Sequence, residues 1–157
     1  MTVGAVMTRD PLTIGPEAPL REASELMRKG RIHHLPVVGE GGRLIGIITD
    51  RDLVHAALVP ALADRMPWDA RRLKAPRVRD AMTWAVVTTR PDATLVEAGL
   101  MMVERHIGSL PVVEGGRLVG ILTEHDVLEA LRPGIGPDSD DDLDPGRRPL
   151  EAKEYPP

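Results

Sequence analysis

The same pattern occurs twice in this chain, and the duplication constrains the fold more than any other feature. The first copy spans residues 32–53 and the second spans residues 107–127. Each copy ends in a glycine, two aliphatic residues, a threonine, two ionisable residues and an aspartate, at residues 46–52 and 120–126. Two copies are too few for a solenoid. They predict two similar units that pack against each other, each burying a face that it could not bury alone.

The repeat and the composition divide the chain into four parts. Residues 1–59 and 78–132 form the two units, since matching positions extend back to Val3 and Val78. Residues 60–77 form a linker that three prolines break into pieces. Residues 133–157 are acidic and proline-rich, which predicts a disordered tail.

The first half of each unit is predicted to be a short strand followed by a helix. The strands are expected at residues 11–14 and 86–89. Apolar residues at helical spacing predict a helix over residues 17–29. Pro19 suits its first turn and Gly30 suits its end. In the second unit, Asp92 is the candidate helix cap.

The second half of each unit is predicted to be a β-hairpin followed by a short helix. In the first unit, β-branched runs at residues 35–38 and 44–49 flank a glycine-rich turn, which is typical of a hairpin. Helices are expected at residues 50–58 and 124–131. The fold class is therefore α/β in the broad sense (α+β), with two β-α-β-β-α units packed sheet to sheet.

The composition excludes several classes of protein. Hydrophobic residues make up 42% of the 157 residues, but phenylalanine is absent, so the core must be built from Leu, Val, Ile, Ala and Met. The formal charge of −4 provides no basic footprint for a nucleic acid. No cysteine is present, which excludes disulfides and thiolate sites. No apolar run is long enough to span a membrane and no export signal is visible, so a cytoplasmic protein is expected.

The repeated threonine and aspartate allow two interpretations. Thr49 with Asp52, and Thr123 with Asp126, resemble capping boxes that satisfy the backbone at a helix start. The same groups also suit a ligand, since a helix start attracts a phosphate and a carboxylate can accept hydrogen bonds from a ribose. The glycine three residues before each threonine lets a ligand or the other unit approach the strand closely.

Other candidate motifs give little support to a metal site or an enzyme. His33 and His34 are adjacent, and neighbouring residues on a strand point to opposite faces, so they form a poor chelate. The glycine-rich turns run into strands rather than helices, unlike phosphate-binding loops. His55, His106 and His125 are expected at the surface. No nucleophile with a base beside it is apparent, and we predict that the chain is not an enzyme.

These motifs resemble a tandem pair of CBS domains, also called a Bateman module. The resemblance covers residues 1–132 and rests on several motifs that recur twice in the same order, including residues 34–38 with 109–113 and 46–52 with 120–126. It implies two sheets related by a pseudo-two-fold axis, with two clefts between them. It also implies a homodimer formed through helices, as in the stand-alone CBS-pair proteins of prokaryotes.

The resemblance implies that each cleft combines the threonine and aspartate of one unit with early segments of the other. One site would contain Thr49, Asp52, Val86, Val87, Ile107, Gly108 and Ser109. The other would contain Thr123, Asp126, Leu12, Thr13, Ile32, His33 and His34. The adenine of an adenosine-containing ligand would then lie between aliphatic side chains.

The sequence departs from a symmetric pair at residues 33–34, where the second unit has Gly108 and Ser109. No arginine or lysine stands at these positions, so an AMP-like ligand is favoured, with ADP, ATP or S-adenosylmethionine as alternatives. The expected function is a non-catalytic sensor that signals to an unknown effector protein or through a dimer. The alternative is a ligand-free structural or protein-interaction module whose repeated threonine and aspartate serve only as caps.

Overall fold

Each copy of the repeat folds as a one-turn helix, a long helix, a β-hairpin and a further helix. The computed structural model describes residues 1–63 and 76–132, and for residues 58–63 only the backbone is considered. The first unit consists of α1 (Val3–Val6), β1 (Thr8–Arg9), α2 (Leu20–Gly30), β2 (His34–Val38), β3 (Leu44–Thr49) and α3 (Asp50–Ala63). The second consists of α4 (Val78–Ala81), α5 (Leu95–Arg105), β4 (Ser109–Glu114), β5 (Arg117–Thr123) and α6 (Glu124–Ala130).

The two units exchange their N-terminal segments. Strand β1 of the first unit pairs antiparallel with β5 of the second, with Thr8 opposite Ile121. In the equivalent position of the other unit, Thr83 forms an antiparallel bridge with Ile47 of β3. Each hairpin is therefore extended by the beginning of the opposite unit.

The hydrophobic cores reflect the same exchange. Val3 and Met7 are buried in the core of the second unit, beside Leu110 and Leu122. Val78 and Met82 are buried in the core of the first unit. Both cores consist of Leu, Val, Ile, Ala and Met, as the composition predicts. Neither unit could complete its core from its own residues.

The glycines of the repeated motif allow this close packing. A Cβ added at Gly120 would lie 2.5 Å from the sulfur of Met7 and 2.9 Å from the carbonyl oxygen of Thr8. A Cβ added at Gly46 would lie 2.7 Å from the sulfur of Met82. The sequence leaves open whether a ligand or the other unit approaches the strand at these glycines. In the structure it is the other unit that lies against both of them.

The prediction of short strands at residues 11–14 and 86–89 is wrong. Only one residue in each segment joins a sheet, Ile14 by a parallel bridge to Val37 and Thr89 by a parallel bridge to Val112. The regular strand of this region is β1, at Thr8–Arg9, which begins two residues after the end of α1. Apolar alternation alone does not separate an extended segment from a paired strand, because pairing depends on a distant partner.

The hairpins are confirmed, whereas the predicted helix ends need correction. Helix α2 begins after Pro19 and includes Gly30, and the next residue, Arg31, takes the left-handed conformation with φ 51°. Helix α5 is capped by Thr94 rather than Asp92, because Thr94 stands three residues before Glu97 and forms a capping box with it.

The last helix of the first unit is longer than the sequence predicts. Helix α3 continues to Ala63, beyond the predicted end at residue 58. Residues 64–75 of the predicted linker and the predicted tail at residues 133–157 lie outside the described residues. Among the helices that are described, none combines the length and apolarity needed to cross a bilayer.

Candidate functional site

Two clefts lie between the units, one beside each threonine–aspartate pair. We call them the Asp52 cleft and the Asp126 cleft. Their volumes are about 560 Å³ and about 700 Å³, within the range that accommodates small-molecule ligands. Both clefts are open to solvent at one side and combine walls from the two units.

The Asp52 cleft brings together all seven residues predicted for that site. These are Thr49, Asp52, Val86, Val87, Ile107, Gly108 and Ser109. The polar pair comes from the junction of β3 with α3. The aliphatic residues come from the segments that flank α5 in the other unit, so the cleft exists only when the units are paired.

The Asp126 cleft brings together six of the seven residues predicted for it. These are Leu12, Ile32, His33, His34, Thr123 and Asp126. Thr13 does not line the cleft and is exposed to solvent. Because successive side chains in an extended segment point in opposite directions, Leu12 faces the cleft and Thr13 faces away.

Each threonine–aspartate pair forms a capping box. Asp52 Oδ2 accepts hydrogen bonds from the backbone N–H and the hydroxyl of Thr49, both at 2.8 Å. Asp126 Oδ2 accepts the same two bonds from Thr123, at 2.8 and 2.7 Å. The capping interpretation is therefore realised at both sites. Among the described residues, no group donates to Oδ1 of either aspartate, so this oxygen remains able to accept from a ligand hydroxyl.

His33 forms a local hydrogen bond with a carboxylate. Its Nδ1 lies 2.9 Å from Oδ2 of Asp50, the first residue of α3. Partial burial opposes ionisation of Asp50, but the hydrogen bonds from His33 and from the Arg51 N–H hold its pKa below the ordinary value. Asp50 is therefore a carboxylate at neutral pH and keeps His33 oriented at the mouth of the Asp126 cleft.

His34 occupies a different position, because it lines both clefts. Burial lowers the pKa of its imidazole below the ordinary value, although the carboxylates of Asp50, Glu124 and Asp52 act in the opposite direction. The ring is therefore neutral at neutral pH. Glu124 and Gly108 are shared by both clefts in the same way.

The structure adds charged residues that the sequence interpretation missed. Arg51, Asp50 and Glu124 also line the Asp52 cleft. Arg31 and Asp10 line the Asp126 cleft. Among the described residues, each cleft is therefore lined by one arginine and three carboxylates, counting the motif aspartate and Glu124 in each. Most of these residues stand next to motif positions, which is the only signal the sequence offers.

Two further histidines also reach the clefts. His106 lines the Asp52 cleft and His125 lines the Asp126 cleft. Both are exposed, as expected for surface residues, but their position beside Ile107 and Asp126 brings them to the clefts. Within residues 1–63 and 76–132 there is no group of three His, Asp or Glu side chains arranged to hold a metal ion.

Two intertwined α+β units with a cleft on each side of their junction define a tandem module with a pseudo-two-fold axis. The family model described as CBS domain matches residues 3–59 and again residues 78–133. The chain belongs to the CBS domain family and contains two copies of the domain. A CBS pair is generally a regulatory module rather than a catalytic one.

Several known proteins are similar over most of the chain. A CBS domain-containing protein of Dictyostelium discoideum is 35% identical and aligns with 82% of this chain and 90% of its own length. The crystal structure of Arabidopsis thaliana CBSX2 in complex with AMP has a TM-score of 0.68, with 28% identity over 83% of this chain and 95% of that one. The CBS domain pair of protein MJ0100, in complex with 5′-methylthioadenosine and S-adenosyl-L-methionine, has a TM-score of 0.70 at the same identity and coverage.

Proposed function

We propose that this chain is a non-catalytic sensor that binds an adenosine-containing ligand in the clefts between its CBS units, with an AMP-like ligand favoured. The observation that carries the proposal is the combination found in each cleft. A motif aspartate stands on one unit, with one oxygen to which none of the described residues donates, and apolar side chains stand on the other. Such a site can hold a ribose by its hydroxyls and an adenine by its faces.

The charges of the clefts support a ligand with few phosphates. Three carboxylates and one arginine line each cleft, so a triphosphate would meet more like charge than opposite charge. Structural relatives are in complex with AMP, or with 5′-methylthioadenosine and S-adenosyl-L-methionine. These ligands share an adenosyl group, which supports an adenosine-containing ligand here. A ligand that binds two arrangements of the units with different affinity would shift their populations, and an effector protein would read that shift. A cytoplasmic location remains a prediction.

A thermal-shift panel tests the proposal on the full chain. A ligand present at a hundred times its dissociation constant should stabilise the folded state by about 2.7 kcal/mol, because it binds only the native clefts. We expect AMP or another adenosyl ligand to raise the melting temperature by several degrees. Guanosine and cytidine monophosphates serve as controls for the phosphate and ribose. A panel in which adenosyl ligands behave like these controls would contradict the proposal.

We further propose a homodimer formed through the outer face of the second unit. The apolar helix face consists of Val96, Leu100 and Val103 on α5 with Leu128 and Leu131 at α6, each exposed by 57–72%. At the positions equivalent to the three α5 residues, α2 of the first unit carries Arg21, Glu25 and Arg28. The two outer faces therefore differ, and a two-fold axis would let the apolar helix face of one chain meet the same face of its partner.

The substitution Leu100→Glu tests this interface. It gives the second unit the glutamate that the first unit has at the equivalent position, Glu25, and so places a charge in the apolar helix face. We expect the mass measured by light scattering to fall from that of a dimer to that of a monomer, since a buried unpaired carboxylate is costly. Glu25→Ala is the matched control and should leave the mass unchanged. A wild-type chain that is monomeric at every concentration, or a Leu100→Glu variant that remains dimeric, would contradict the proposed interface.

A ligand-free interaction module is the second candidate. It is favoured by the capping boxes, which account for Thr49, Asp52, Thr123 and Asp126 without any ligand. A flat thermal-shift panel together with an intact dimer would favour this candidate.

A further inference from the structure

His34, Gly108 and Glu124 together form a partition between the two clefts. Each of the three residues lines both clefts. A Cβ added at Gly108 would lie 3.3 Å from Nε2 of His34 and 3.6 Å from the carboxyl carbon of Glu124. The imidazole of one unit and the carboxylate of the other therefore both approach this glycine, on the wall that the two clefts share.

The partition results from a break in the pseudo-symmetry. In the first unit, the Asp50 N–H donates to the carbonyl of His33 at 3.1 Å, and the two side chains pair. In the second unit, the Glu124 N–H donates to the carbonyl of Gly108 at 3.0 Å, but glycine offers no side chain. The ring of His34 takes that space, so Glu124 faces an imidazole from the opposite unit.

Starting from the proposed function, we infer that the ring of His34 couples the two clefts by taking up a proton when an anionic ligand occupies either of them. An anion in one cleft favours the imidazolium, and the imidazolium then attracts an anion in the other. By thermodynamic linkage, each ligand changes the affinity of the other to the same extent. The proton uptake requires a negatively charged group on the ligand, such as the phosphate or carboxylate of an adenosyl compound. Uncharged adenosine should therefore cause no proton uptake.

Ionisable groups surround the His34 ring and influence its protonation. His33 lies beside it on the chain, Asp50 and Asp52 face it from the start of α3, and Glu124 faces it from the start of α6. Burial keeps the pKa of the free ring below its ordinary value, so the unliganded ring is the uncharged imidazole at neutral pH. An added negative charge raises this pKa, and protons are taken up at any pH between the two values.

Calorimetry of AMP and adenosine binding to the full chain, in two buffers of different ionisation enthalpy, measures the proton uptake. We expect AMP binding near pH 7 to take up a fraction of a proton and its affinity to rise at least about threefold from about pH 7.5 to about pH 6.5. Adenosine should show neither effect. Because one ring serves both clefts, filling both with AMP should take up no more than about one proton through this ring.

The variant His34→Gln should abolish the excess uptake and flatten the pH dependence, since glutamine preserves polarity but does not titrate. Comparison with wild type also removes the contribution of the phosphate, whose own second pKa is about 6. His55→Gln removes an imidazole that lines neither cleft and should retain the uptake. His106→Gln and His125→Gln show whether a histidine of a single cleft is responsible.

Two results would overturn the inference while leaving the proposed function intact. One is AMP binding without proton uptake in the wild type, and the other is unchanged uptake in His34→Gln. If neither AMP nor adenosine binds, the proposed function and this inference both fail. Circular dichroism and thermal melting of His34→Gln establish that a lost uptake does not reflect an unfolded variant.

Discussion

Replacing Gly120 with alanine should lower the free energy of unfolding by about 2–3 kcal/mol. The new methyl group would lie 2.5 Å from the Met7 sulfur and 2.9 Å from the Thr8 carbonyl oxygen. The sulfur belongs to a flexible side chain and can move, but the carbonyl belongs to β1, which is paired with β5 at this point. Relief therefore requires β1 to separate from the hairpin of the second unit. Chemical denaturation measures the loss directly.

Gly15→Ala is the matched control for this substitution. A Cβ at Gly15 would meet no atom within 4 Å. Its stability should equal or slightly exceed that of the wild type, because alanine reduces the conformational freedom of the unfolded chain. A Gly120→Ala variant as stable as Gly15→Ala would show that the exchanged segment does not depend on the close approach at this glycine.

Replacing Asp126 with alanine should weaken adenosyl-ligand binding in the Asp126 cleft by at least about tenfold, or about 1.4 kcal/mol. The carboxylate lines the cleft, and only one of its oxygens is engaged by Thr123. Its removal deletes an acceptor for a ligand hydroxyl and loosens the threonine beside it. Isothermal titration should show the loss of one class of site, and Asp52→Ala should remove the other.

The control must separate loss of a cap from loss of a ligand contact. Glu97→Ala provides this separation, because Glu97 and Thr94 form the same reciprocal box at the start of α5. Glu97 lines neither of the two clefts. We expect Glu97→Ala to keep the ligand affinity of the wild type. Equal affinities in Asp126→Ala, Glu97→Ala and wild type would contradict a ligand-binding role for Asp126 and favour the capping role alone.

The local elements of each unit could be predicted because their signals are local. The β-branched runs around a glycine-rich turn predict both strands of the first hairpin, and Leu20, Ala23 and Met27 at helical spacing predict α2. The ends of the long helices could not be predicted, since Arg31 and His106 take a left-handed conformation that usually favours glycine. Local backbone hydrogen bonds close both helix ends, from the Ile32 N–H to the Met27 carbonyl and from the Ile107 N–H to the Met102 carbonyl, each at 3.0 Å. Neither arginine nor histidine is a residue type that signals such an end.

The exchange of N-terminal segments could not be predicted from the repeat. The repeat aligns Val3 with Val78, but alignment does not indicate which hairpin each residue covers. A similar limit applies to the charged residues that the structure adds to the clefts. The threonine–aspartate motif identifies positions at the helix starts, whereas Glu124 and Arg51 occupy intervening positions of that motif. They reach the Asp52 cleft because the start of α3 and the start of α6 both line it.

The reciprocal pairing of the units also bears on how such a chain could arise. Two separate copies of one unit could pair in the same way, with the N-terminal segment of each against the hairpin of the other. In that ancestral homodimer, positions 33 and 108 would carry identical residues, and so would positions 50 and 124. Covalent fusion releases these positions to diverge, and in this chain the divergence has placed a histidine and a glycine across the axis.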